Sequence, residues 1–139
     1  KVAAIIPCDI HRDLPIDVQD GFDLVMSFYC IECIGSDFEA WRVYLRRLAS
    51  LVAPGGRLIL SSLQETSHYR VFEESYPATW LSDDLLRREL LELPDFKADS
   101  VVVESHGAQW DEQGFSGILL AKADRPQAVA GSRHERYAP

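Results

Sequence analysis

Hydrophobic positions along this chain change period several times, and each change marks an element. Residues 2–6 (VAAII) are a short continuous apolar run closed by Pro7, and their length and β-branched content predict a buried strand. Residues 11–21 are polar, carry Pro15 and read as a connecting loop. Residues 22–34 (FDLVMSFYCIECI) are apolar on both faces through the middle, which predicts a central strand of a parallel sheet covered by helices. Ser36, with Glu39 three positions on, forms an S-x-x-E capping box that opens a helix. Phe38, Trp41, Leu45, Leu48 and Val52 alternate spacings of three and four, placing them on one stripe of a helix about 17 residues long. Pro54, Gly55 and Gly56 stop that helix, and residues 57–61 return as a strand.

The second half is less regular. Residues 64–79 (QETSHYRVFEESYPAT) are too long and too aromatic for an idle connection and make a candidate substrate lid. Ser82 caps a further helix with Asp83 and Asp84 in its first turn and Leu81 able to staple onto Leu86; Pro94 ends it. Residues 100–104 and 117–121 read as two strands close enough in sequence to pair antiparallel. From Arg125 onward periodicity disappears, and residues 125–139 are expected to be a disordered tail.

At 139 residues there is room for one core, so one domain or part of one is expected. A formal net charge of -8 argues against nucleic acid or an anionic membrane surface as partner, because phosphate contacts need clustered Lys and Arg. No apolar stretch reaches the roughly 20 residues that span a bilayer. Three cysteines, with Cys30 and Cys33 inside an apolar run, fit a reducing cytoplasmic setting better than a disulfide framework. The C-x-x-C they form has no second pair beside it, so both are read as core residues and no metal is expected.

In parallel α/β sheets ligands sit beyond the C-terminal ends of the strands, which would gather Asp9 and Ile10, residues 27–32, residues 62–69 and the loop around Gln113 into one cleft. Glu32 stands out among them. It is a charge in an apolar segment, where desolvation is costly without a partner. A cationic nitrogen would supply that partner, as would an Arg, and desolvation would raise the carboxyl pKa towards proton acceptance.

The ordered series IPCDIH, FDLVMSFYCIEC, LVAPGGRLILSSLQETSHY and GFSGILLAKA resembles the second half of the nicotinamide, phenylethanolamine and indolethylamine (thioether) N-methyltransferase family, over residues 5–123. The resemblance implies the C-terminal half of a Rossmann-like class I methyltransferase sheet, mostly parallel with an antiparallel terminal strand pair, spanning residues 1–124. It implies S-adenosylmethionine as cofactor. Asp9 would then hold the adenine amino group and Ile10 the ring by its N–H, while Ser27, Phe28 and Tyr29 would line the adenine and the sulfonium. Glu32 and Tyr69 would aim the acceptor, with Thr66 and Gln113 beside them. The acceptor implied is a small molecule, an amine or other nitrogen.

The family's Gly-rich loop after its first strand, and the acid after its second, have no counterpart here. Gly55-Gly56 precedes a strand and cannot replace that loop. The chain opens at Lys1 directly before VAAII, so an upstream half, on the same chain or a complementary one, is expected to complete the sheet. Activity is expected only with that half. The competing expectation is a non-catalytic remnant serving as a binding or dimerisation subunit.

Overall fold

Gly21 sets the start of the first strand. The computed structural model describes residues 4–13, 15–16, 18, 20–107 and 114–128. Gly21 lies at φ +72, where a Cβ would stand 2.8 Å from the Leu51 carbonyl oxygen, and Phe22 N–H donates to that same oxygen at 2.8 Å. Strand β1 (Phe22–Phe28) follows. It ends sooner than the apolar run, because Tyr29 turns left-handed at φ 48 and Ile31–Cys33 coil into a single 3-10 turn. Cys30 is consequently exposed and only Cys33 is partly buried, which corrects the expectation that both belong to the core.

Helix α1 (Phe38–Ser50) is capped by Asp37 instead of Ser36: the Asp37 carboxylate accepts from the N–H groups of Glu39 and Ala40 at 2.9 and 3.3 Å. Either residue type can cap. Glu39 pairs with Arg42 instead of closing a capping box. The stripe is as expected at Trp41, Leu45 and Leu48, all buried, but Val52 belongs to the next strand. That strand, β2 (Val52–Gln64), begins before the Pro-Gly-Gly triplet and runs through it. Pairing jumps from Phe22↔Val52 to Leu24↔Arg57, so the triplet with Gly55 at φ 85 makes a bulge inside the strand and not a stop after a helix.

The long segment after β2 folds into a hairpin of its own, β3 (His68–Val71) with β4 (Glu74–Pro77). Helix α2 (Asp83–Leu91) has Ser82 as N-cap, as expected, accepting from Leu85 N–H at 3.2 Å, and Leu81 and Leu86 are both fully buried. Strands β5 (Val102–Gly107) and β6 (Gly117–Asp124) form the expected antiparallel pair. The four-stranded sheet runs in the order β1-β2-β6-β5, with β1, β2 and β5 in one direction and β6 reversed between its neighbours.

Both helices pack on one face of this sheet, sharing a core of Trp41, Leu45, Leu58, Leu86, Leu90 and Leu119. Arg42 of α1 reaches Glu89 of α2 at 2.7 Å, so the buried Glu89 carboxylate has a guanidinium partner. The opposite face carries no helix among the described residues, and Leu24, Met26, Phe28 and Leu120 lie exposed on it by 46, 56, 53 and 38%. Among the described residues β1 is therefore an edge strand covered on one face, where its sequence predicts a doubly covered central strand. Residues 4–6 form no strand and are exposed, since no described strand borders that edge of β1 for an apolar run to extend; residues 1–3 lie outside the described residues. Residues 125 and 126 do not begin a loose tail: Arg125 N–H donates to Gly56 and Gly55 N–H to Pro126, at 2.9 and 3.0 Å. Residues 129–139 lie outside the described residues.

The capping assignment has a direct check. Asp37→Ala should cost about 1 kcal/mol of stability in urea unfolding and Ser36→Ala no more than a few tenths; the reverse ranking would return the cap to Ser36.

Candidate active site

Two clusters of side chains form beyond the C-terminal ends of β1 and β2. One is built around Asp9. Its carboxylate accepts from the His11 N–H at 3.0 Å, which tightens the turn, and the side chain remains exposed. The turn is fastened to α1 by two residues that the sequence did not single out. Arg47 donates to the Ile10 carbonyl at 2.9 Å and to the Asp13 carboxylate at 2.6 Å, and Tyr44 hydroxyl meets His11 Nδ1 at 3.1 Å. Arg47 reads in sequence as one more cation on a polar helix face, so only the folded contact reveals its use. The Cys8 thiol pKa is raised, by burial first and then by Cys30 and Asp9.

At the end of β1 Ser27 is buried on the helix-covered face, whereas Phe28 and Tyr29 expose about half of their surface, 53 and 44%. Tyr29 N–H donates to the Ser61 carbonyl of β2 at 2.9 Å. The Ser61 hydroxyl is sealed from solvent and has no hydrogen-bond partner.

The second cluster centres on Glu32, in the 3-10 turn and fully buried. One carboxylate oxygen accepts from Leu63 N–H at 3.2 Å; the other is buried without a partner. Among the described residues no cation pairs with it, in contrast to Glu89. Burial outweighs the lowering effect of backbone hydrogen bonds from Glu32, Leu63 and Cys30, and pushes the carboxyl pKa up to about 7. The neighbouring Cys33 thiol is pushed up to about 12 by burial, with Glu32 and Cys30 adding to the shift. It stays protonated and packs beside Tyr69.

The β3–β4 hairpin stands over this cluster. Thr79 N–H donates to the Glu32 carbonyl at 2.8 Å and Ala78 N–H to Ser67 at 2.8 Å. Tyr69 packs with Cys33 and Ile118 against Leu63, Ala78 and Phe115, and it stacks on Tyr76 with ring centroids 5.5 Å apart. Thr66, expected to face the acceptor, is buried with its hydroxyl committed to the carbonyls of His68 and Gly114 at 2.5 and 2.8 Å, so it anchors the hairpin's approach. Gln113 lies outside the described residues. The structure thus brings Glu32 and Tyr69 together and fastens the turn of Asp9 and Ile10 to α1. Tyr76, Arg47 and Tyr44 join them without having been anticipated.

This architecture is that of S-adenosylmethionine-dependent methyltransferases. A methyltransferase of Methanosarcina mazei superposes with a TM-score of 0.60 at 9% identity, covering 81% of this chain and 64% of that one. The Burkholderia thailandensis 1,6-didemethyltoxoflavin-N1-methyltransferase, solved with S-adenosylhomocysteine, gives 0.56 at 19% identity, covering 88% and 50%. The chain belongs to the NNMT/PNMT/TEMT family, which it matches over residues 1–124. Mouse indolethylamine N-methyltransferase is 28% identical over 91 residues, 64% of this chain and 34% of that protein. Human nicotinamide N-methyltransferase is 22% identical over 129 residues, 90% and 49%. The chain spans about a third to a half of the length of these curated relatives.

Glu32 makes stability depend on pH in a defined window. The folded chain retains a proton between the ordinary carboxyl value of 4.5 and about 7 that the unfolded chain releases. Stability should therefore fall as pH rises through that window and level off above it. Urea unfolding should show a loss of the order of 3 kcal/mol from this group, abolished in Glu32→Gln. Identical pH profiles for the two proteins would refute the shift.

Proposed function

We propose that residues 1–124 are the C-terminal part of a single methyltransferase domain which, completed by the remainder of the protein, transfers a methyl group from S-adenosylmethionine to a nitrogen of a small-molecule acceptor. The observation that carries this reading is the sealed, cation-free carboxylate of Glu32 under the Tyr69 hairpin, in a chain of this family. Such a group attracts a basic nitrogen and can take its proton.

The residues present fit one side of the cofactor. Asp9 offers an exposed carboxylate for an exocyclic amine, with the Ile10 N–H beside it, and Phe28 and Tyr29 offer ring faces that attract a cationic sulfur. Ser27 lies on the helix-covered face behind them, and Ser61 of β2 stands opposite Phe28 in register. When bound, S-adenosylmethionine supplies an electrophilic methyl group on sulfur. Glu32 then holds the acceptor nitrogen, removes its proton before attack and leaves its lone pair free; Tyr69 fixes its direction. Thr66 keeps the hairpin in place. Alignment of this kind lowers barriers by roughly 7 to 11 kcal/mol in favourable intramolecular cases.

The partner in this reading is the half of the sheet that borders β1. Its support is the unpaired outer edge of β1 and the bare face carrying Leu24, Met26 and Phe28, since parallel strands are stable when covered on both sides. A reducing, cytoplasmic setting belongs to the same reading, because the three cysteines are all free and two of them exposed.

Titration calorimetry on the complete protein should give S-adenosylmethionine binding, weakened roughly tenfold by Asp9→Asn, with no binding to the 139-residue chain alone. A complete protein that binds none of it supports the non-catalytic remnant instead. Glu32→Gln should lower turnover by about a hundredfold with cofactor affinity unchanged; undiminished turnover removes Glu32 from the chemistry.

A further inference from the structure

The β3–β4 hairpin has two faces, and the residues on one of them form a series. Strand register pairs Tyr69 with Tyr76 and Val71 with Glu74, so these four side chains share a face, while His68, Arg70, Ser75 and Pro77 point to the other. Tyr69 lies at the inner end, packed with Cys33 of the turn that carries Glu32. Tyr76 continues outward, stacked on Tyr69 at an interplanar angle of 24° and 39% exposed. Its hydroxyl donates to the Glu74 carboxylate at the solvent end. That bond fixes the ring, and it leaves the carboxylate's charge at the rim. Arg70, the one cation of the hairpin strands, belongs to the opposite face.

A cross-strand tyrosine pair alone is ordinary hairpin stabilisation. Here it links an exposed carboxylate to a buried one whose second oxygen is sealed without a partner. Aromatic faces attract cations, carboxylates do so more strongly, and flat rings stack on tyrosine. A neutral acceptor would gain the stacking alone.

We propose that Tyr76 and Glu74 form the outer half of the acceptor site, an aromatic and acidic rim that selects a protonated aryl-alkylamine and passes it along Tyr69 to Glu32. This deepens the methyltransferase reading above and rests on it. Glu74 and Tyr76 bind the ammonium form; the proton is then lost to the free oxygen of Glu32, leaving neutral nitrogen for attack and a neutral carboxyl behind. Selection and deprotonation are thus divided between two carboxylates at opposite ends of one hairpin face.

The test compares acceptors in the complete protein. Phenylethanolamine and indolethylamine carry an ammonium beside an aromatic ring, whereas nicotinamide is flat and uncharged at neutral pH. Glu74→Gln should raise KM for the two amines about tenfold with kcat within about twofold, while KM for nicotinamide moves less than twofold; Tyr76→Leu should raise KM for the amines about tenfold and for nicotinamide, which loses stacking alone, only about threefold. Tyr76→Phe keeps the ring, loses the bond to Glu74, and should fall between Tyr76→Leu and wild type. S-adenosylmethionine affinity, measured by calorimetry, should stay constant in all three. Equal loss for all acceptors, or a parallel loss of cofactor affinity, would assign the pair a structural role and overturn the proposal. So would a wild-type protein that binds S-adenosylmethionine yet takes neither amine, with the methyltransferase reading intact. Absence of cofactor binding in the wild type would overturn that reading itself.

Discussion

Strand β2 is the axis on which the other elements are hung. It is hydrogen-bonded along both edges, to β1 in parallel and to β6 in antiparallel register, and it carries each cluster described above. Its Ser61 carbonyl receives the N–H of Tyr29 and so sets where β1 turns away. Its Leu63 N–H donates to the Glu32 carboxylate, and its Gln64 end leads into the hairpin that covers them. A slip of one residue in β2 would turn its side chains to the opposite face and remove the donor from Glu32 at the same time. Fold register and site geometry are one constraint in this chain.

Much of this was legible in the sequence, for reasons that can be named. The first helix was found because Trp41, Leu45 and Leu48 recur at helical spacing, and the second because Ser82 caps it, Asp83 and Asp84 fill its first turn and Pro94 follows it. The antiparallel pair β5–β6 followed from proximity along the chain. Errors arose where two residue types do the same local job. Ser36 and Asp37 are both good caps, and periodicity cannot rank them. The Pro-Gly-Gly triplet reads as a terminator, but β2 absorbs it because the strand is pinned on either side of it by pairing with β1.

The candidate site was legible in part, along the same line of division. Glu32 was visible because a charge within an apolar run is improbable unless it has work to do. Tyr76 was not, since a tyrosine in a mixed polar segment carries no periodic signal, and only the hairpin register sets it on Tyr69. Arg47 was hidden in the same way. The edge position of β1 could not be read from its own residues at all: Leu24, Met26 and Phe28 look like core in sequence and are exposed here only because nothing described lies over them.

Among the described residues the interior holds two buried carboxylates in unlike circumstances, and under the proposed reading the contrast bears on how catalysis is lost. Glu89 has Arg42 against it; Glu32 has the Leu63 amide on one oxygen and no partner on the other. An arginine introduced beside Glu32 would make the second resemble the first. Under the proposed role of Glu32 the descendant would be sturdier than its parent and chemically mute, so a gain in robustness would mark retirement from catalysis.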